Sequence, residues 1–149
     1  MKIMHLISGG DVGGAKTHVL SLLKGLSATQ QVRLVCFMEG PFAQEARDMG
    51  IDTLVLDSGN LPAVVKKIEQ MIRAENFQIV HCHGSRANLM GTLLRRSLNI
   101  PMVTTVHSDY RLDYLGRPFH RLTYGTINTI CVRRIPYHIG VSDAMADLL

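Results

Sequence analysis

KIMHLISGGDVGGAKTHVLSLLKGLS, residues 2–27, passes from an apolar run through a glycine turn into an amphipathic helix. The first part, KIMHLIS (2–8), is short and apolar and stops at glycine, the pattern of a buried strand. From Ala15 onward, Ala15, Val19, Leu22, Leu23 and Leu26 recur on one helical face. Between them lies GGDVGG (9–14). A turn rich in glycine lets the backbone N–H groups of the following helix approach an anion, and the helix dipole favours that anion. A phosphate near Gly13 and Gly14 is therefore a physical expectation before any family is considered.

The same alternation continues along the chain. QVRLVCFM (31–38) is rich in strand formers, and Pro41 opens a short helix, PFAQEARDMG, with Gly50 as its stop. DTLVLD (52–57) reads as a third strand. LPAVVKKIEQMIRAEN (61–76) reads as a helix with Val64, Ile68, Met71 and Ile72 inward. QIVHCH (78–83) is a fourth strand, and Ser85 is placed to cap the helix RANLMGTLLRRSL. PMVTTVH (101–107) and YHIGVS (137–142) are the fifth and sixth strands; helices are expected from Pro118 to Arg134 and beyond Ser142. Strands alternating with helices require crossover connections and a parallel sheet covered on both faces. The expected fold is a Rossmann-like three-layer αβα sandwich with strand order 3-2-1-4-5-6, one domain over residues 1–149.

Composition narrows the class. With 149 residues and 46% hydrophobic content, the chain can bury enough apolar surface to offset ordering entropy, which excludes a disordered protein. No apolar run reaches bilayer length, and the start MKIMHLISGG is too short and weakly charged for a signal peptide, so a cytoplasmic location is expected. Three scattered cysteines, Cys36, Cys82 and Cys131, read as thiols in a reducing compartment. The net charge of +4 is uneven: between Arg86 and Arg134, six further arginines meet only Asp109 and Asp113. Such a half suits phosphates, nucleic acid or an anionic membrane; a solvated face is the plain alternative.

In a sheet of this order, ligands bind outside the carboxyl ends of the strands where the order reverses, between the first and fourth strands. The turns at that edge carry Gly13 and Gly14 after strand one, His83, Gly84, Ser85 and Arg86 after strand four, and His107, Ser108 and Asp109 after strand five. The glycine turn itself admits several readings. Its spacing does not fit the dinucleotide pattern GxGxxG. It misses a P-loop by Ala15, although Asp57 could imitate the metal-holding acid of such a site. His81 and His83 flank Cys82 and point the same way from a strand. A metal would want a third and a fourth ligand that the neighbouring sequence does not offer, so no metal site is expected. His5 reads as a hydrogen-bonded core residue, His18 as structural, and Met38, Met49, Met71, Met90 and Met102 as core filler.

A third reading uses the whole chain. GGAKTH directly after strand one resembles the N-terminal domain of GT-B glycosyltransferases, in particular the retaining group called family 4 or group 1. FQIVHCHGSRANLMG is similar to that family's His-x-His segment, PMVTTVHSD to its strand-five ending, and YHIGVSDAMADLL to its Val-Ser segment before the domain's last helix. The four stretches come in the family's order and span nearly all of the chain. Relatives commonly carry an acidic residue where Lys16 stands, so no role transfers to that position.

The resemblance implies an acceptor-side half of an enzyme that moves a sugar from a nucleotide-sugar donor with retention. A second, nucleotide-sugar-binding domain is then the partner of this one and lies outside residues 1–149. Gly13 and Gly14 would touch the donor diphosphate when the cleft shuts, and His107 would lie beside the transferred sugar as the catalytic residue. His83, Ser85, Arg86, Ser108 and Asp109 would face the acceptor or sugar. The resemblance demands no cofactor, no metal and no protein nucleophile, and it implies that the fragment alone is inactive. Its acceptors would be small molecules or lipid-linked molecules. The Arg–Tyr–Phe mixture of residues 107–125 suits peripheral membrane contact at the cytoplasmic surface better than nucleic acid. The competing reading is a stand-alone nucleotide- or dinucleotide-binding regulatory domain, with a magnesium-dependent P-loop protein behind it.

Overall fold

Alternating strand and helix patterns place six strands side by side, all parallel, in the order β3-β2-β1-β4-β5-β6. This is the order expected from the sequence. The structure is a computed structural model, and it describes residues 1–10, 14–57, 59–106 and 135–140. In chain order the elements are β1 (Lys2–Ile7), α1 (Gly14–Ser27), β2 (Gln31–Cys36), α2 (Pro41–Asp48), β3 (Asp52–Val55), α3 (Leu61–Glu75), β4 (Ile79–His83), α4 (Ser85–Leu94), β5 (Met102–Val106) and β6 (Tyr137–Gly140). The helices expected over 118–134 and after Ser142 lie outside the described residues.

Two apolar layers sandwich the sheet, because side chains alternate between its faces. Met4 and Leu6 of β1, Val80 and Cys82 of β4 and Met102 of β5 pack with Val64, Ile68 and Ile72 of α3 and Ala87, Met90 and Leu94 of α4. On the other face Ile7, Leu34 and Cys36 pack with Val19, Leu20 and Leu23 of α1 and Phe42, Ala43 and Ala46 of α2. Each fully buried Leu, Ile, Phe or Met side chain contributes about 1.5–3 kcal/mol relative to exposure. Leu20, absent from the face read in the sequence, is buried, while Leu22 and Leu26 are only half-buried. The helix is rotated by roughly one residue from the expected seam, because the sheet beneath it, not the helix's own pattern, chooses what turns inward.

The helix ends follow their local chemistry. Asn60 Oδ1 accepts from the Ala63 N–H at 3.3 Å and starts α3. At the end of α2, the N–H of Gly50 bonds to the Arg47 carbonyl and that of Ile51 to the Ala46 carbonyl, the paired closure of a Schellman motif. Gly50 is thus the stop that the sequence indicated. Ser85 is different. It is the first residue of α4, Gly84 holds the cap position, and no side chain caps this helix. The helix also ends at Leu94, short of Leu98, as the chain turns through Arg95 to Ser97. Met38 is not core filler. It is 44% exposed and lies over the glycines that follow β1.

Candidate functional site

The carboxyl edge of the sheet is built by register. Ile7, the last residue of β1, pairs with His83, the last residue of β4, and His83 pairs in turn with Thr105 of β5. The turns leaving β1, β4 and β5 therefore start from one rim. α1 begins at Gly14 and α4 at Ser85, so both helices direct their amino ends to that rim. The first N–H groups of a helix have no partner inside it and carry partial positive charge.

The path of the glycine turn is fixed at its start. Gly9 has φ +95°, and a Cβ there would stand 2.8 Å from the Met38 carbonyl oxygen. The Phe37 N–H donates to the carbonyls of Ser8 at 3.0 Å and Ile7 at 3.2 Å. The start of the turn is thereby laid across the end of β2. On α1, Lys16 forms an ion pair with Glu45 of α2 at 2.6 Å, and Asp57 Oδ1 accepts from the Gly59 N–H at 3.0 Å. Lys16, which stands where a P-loop carries its lysine, and Asp57 are thus both engaged in local contacts.

Beneath the rim lies a group of three imidazoles. Parallel pairing places His5 of β1 directly beside His81 of β4, and the two-residue strand period adds His83 to the same face. All three are buried, at 0%, 7% and 1% exposure. His5 Nδ1 lies 3.0 Å from His83 Nε2 in a hydrogen bond, and His81 Nε2 lies 2.6 Å from Thr105 Oγ1. The His81 and His83 rings stack with centroids 4.2 Å apart. Burial pushes the His5 pKa down to about 3, with the nearby His81 a second cause, so His5 is neutral at physiological pH. On the opposite face Thr104 Oγ1 donates to Asn88 Oδ1 at 2.6 Å and ties β5 to α4.

Of the residues singled out from the sequence, the structure brings Gly14, His83, Ser85 and Arg86 to this one edge. Ser85 and Arg86 are exposed there, whereas His83 is buried behind them. Gly13, His107, Ser108 and Asp109 lie outside the described residues, although β5 ends at Val106, at the same edge. His5 is the residue whose place in the group the sequence reading missed. The signal was present: order 3-2-1-4 makes β1 and β4 neighbours, and the histidine of one then faces the His-x-His of the other.

A parallel sheet of this order, with two helix amino ends at the switch point, defines a Rossmann-like domain. A sequence model for Glycosyltransferase Family 4 matches residues 12–149, and the chain belongs to that family. A comparison with curated protein sequences gives no significant match. Among solved structures, HepE of Anabaena in complex with UDP superposes with a TM-score of 0.72 at 21% identity, over 91% of this chain and 36% of that one. MurG of Acinetobacter baumannii gives 0.67 at 16% identity, over 97% and 42%. The lipopolysaccharide outer core galactosyltransferase WaaB gives 0.63 at 16% identity, over 99% and 41%. At such identities the likeness establishes the common fold. The chain spans well under half the length of these structural relatives.

Proposed function

We propose that residues 1–149 form the acceptor-side half of a metal-independent glycosyltransferase that moves a sugar from a nucleoside diphosphate sugar to an acceptor with retention. The observation that carries this reading is the convergence of the Gly14 and Ser85 helix ends on one edge of the sheet, in a chain of glycosyltransferase family 4. The diphosphate of the donor meets the amino end of α1 next to Gly13 and Gly14. Arg86, exposed in the first turn of α4, supplies a cation to an anionic group of acceptor or donor. His107 follows β5 and lies beside the transferred sugar, with Ser108 and Asp109 on its hydroxyls. His83 supports this edge from behind.

The chemistry asks the protein for charge stabilisation more than for covalent work. Leaving-group departure and acceptor attack occur on one face of the sugar, and the departing phosphate oxygen takes the acceptor proton. Backbone N–H groups aimed at the departing diphosphate supply the main electrostatic term. Holding donor and acceptor in line across a cleft supplies the second. A partner domain carrying the nucleotide-sugar site completes the enzyme. The acceptor is a small molecule or a lipid-linked one, taken up at the cytoplasmic side, where residues 107–125 contact anionic headgroups. Liposome sedimentation with and without anionic lipid checks that last point, and lipid-independent behaviour removes it.

The test of the main reading is a nucleotide titration of the purified chain followed by amide NMR. UDP, GDP and ADP, each with and without a sugar, form the panel. Weak binding that perturbs Gly14, Ser85 and Arg86 is expected, with no sugar transfer until the partner domain is supplied. Transfer by residues 1–149 alone overturns the division of labour, and perturbation confined to the amino edge of the sheet overturns the site.

A further inference from the structure

The three imidazoles under the rim have the composition of a metal site, a site that the transfer reaction neither uses nor requires. Strand geometry alone assembles it. His81 and His83 project from one face of β4, and His5 projects from the neighbouring position of β1 on that face. One ring nitrogen from each lies within 4.8 Å of the other two. His5 Nδ1 and His83 Nε2 are 3.0 Å apart; two imidazoles on a tetrahedral zinc, at Zn–N distances of about 2.0–2.1 Å, hold their nitrogens about 3.4 Å apart. A turn of the rings by a few tenths of an ångström at the nitrogens covers that difference.

The surroundings point the same way. Buried polar atoms are ordinarily hydrogen-bonded or bound to metal. In the metal-free chain His5 Nδ1 and His83 Nε2 meet that need through their mutual hydrogen bond, and an ion between them would meet it instead. Both rings can offer those nitrogens as neutral imidazoles, so the only charge brought into the core is that of the ion itself. Thr105 Oγ1 holds His81 Nε2 at 2.6 Å, the kind of outer hydrogen bond that orients a metal-bound imidazole through its other nitrogen. The donor set is all nitrogen, which suits zinc, cobalt, nickel or copper and disfavours magnesium and calcium.

We infer that His5, His81 and His83 bind one divalent transition-metal ion of the zinc class, joining β1 to β4 beneath the carboxyl edge and leaving a fourth position to water. The ion is a staple between two central strands. Its role is independent of sugar transfer, so this inference stands or falls separately from the proposed function.

The experiment uses the tag-free chain, stripped with a chelator and titrated with cobalt(II) alone. One equivalent is expected to bind and give visible d–d absorption, which one equivalent of zinc then abolishes by displacement. His5→Asn is expected to weaken cobalt affinity by more than the roughly 100-fold that loss of an outer hydrogen-bond partner can cost, with His18→Asn as the unaffected control. Should His5→Asn fail to fold, histidine-ring NMR of the unaltered chain decides: zinc must shift the resonances of His5, His81 and His83 together. No stoichiometric cobalt in a chain that is folded by circular dichroism overturns the site. So does binding that leaves those three rings unmoved.

Discussion

His5 Nδ1 and His83 Nε2 share a hydrogen bond of 3.0 Å between the two central strands, inside the core and directly behind the proposed ligand edge. One ring must donate and the other accept, so the pair needs neutral imidazole on at least one side. Burial holds His5 in that neutral form by lowering its pKa from 6.5 to about 3.

This makes the metal-free chain acid-sensitive. Below pH 6.5 the unfolded chain takes up a proton at His5 that the folded chain refuses until about pH 3. The unfolded state binds more protons in that window, so stability falls as pH falls through it. Between pH 7.5 and 5.0, His5 alone is expected to remove about 2 kcal/mol. Urea denaturation at the two pH values, with chelator present, measures the loss. His5→Asn lowers stability at pH 7.5 and flattens the dependence by that same amount. An unchanged slope in the variant rules out His5 as its source.

The packing of α4 on β4 offers a second test. A Cβ on Gly91 would stand 2.6 Å from Cys82 Sγ, a buried thiol. Gly91→Ala therefore forces two close-packed elements apart at a cost of about 1–3 kcal/mol. That outweighs the gain of up to about 1 kcal/mol from replacing a helical glycine. Cys82→Ala removes the obstructing sulfur, and the new methyl group fills the space it leaves. The double variant is expected to recover most of the loss, giving a clear coupling energy in urea denaturation. Additive losses refute the contact.

Asn60 gives a third, smaller effect. Its side chain accepts from the Ala63 N–H at the start of α3, and Asn60→Ala is expected to cost about 0.5–2 kcal/mol. Asn60→Asp keeps the acceptor and is expected to keep the stability. Thermal denaturation of the two variants separates loss of the cap from loss of the amide.

Most of the sheet was legible because its strands are buried on both sides. KIMHLI, QVRLVC and MVTTV read as apolar runs, and the crossover rules then leave few orders. What escaped was tertiary choice. Leu20 was invisible as a core residue because helix 15–27 carries leucine on more than one face, and only the sheet selects among them. Ser85 looked like a cap by its residue type, yet Gly84 occupies the cap position and Ser85 falls inside the helix. Met38 looked like core by its apolarity, but β2 ends at Cys36 and the chain is already leaving the sheet. The imidazole group was legible in principle. His-x-His points to one face, but the third ring comes from β1, which only the strand order brings beside β4. Gly14 and Ser85 were recognisable as rim residues because each opens the helix that follows a strand.

Gly9 sets the course of the turn that leaves β1. Its φ of +95° lies in the left-handed region, and the Met38 carbonyl oxygen would stand 2.8 Å from an added Cβ. That oxygen belongs to the backbone just past β2 and cannot swing aside as a side chain would. Gly9→Ala must therefore move the turn, at a strain of about 1–3 kcal/mol, or a fall of roughly 2–12 °C in melting temperature for a chain of this size. Gly10 provides the contrast. A Cβ there would meet Met38 Sδ at 3.0 Å, the far part of a flexible, exposed side chain, so Gly10→Ala is expected to cost less. If the turn positions a donor diphosphate at the head of α1, Gly9→Ala also weakens nucleoside diphosphate binding. The loss should persist at temperatures far below the melting transition, where every molecule is folded. Calorimetric titration of the two variants with UDP, alongside thermal melts, separates these effects. Equal melting temperatures for the two variants would show that the turn yields at Gly9, and undiminished UDP affinity in Gly9→Ala would detach this turn from the phosphate.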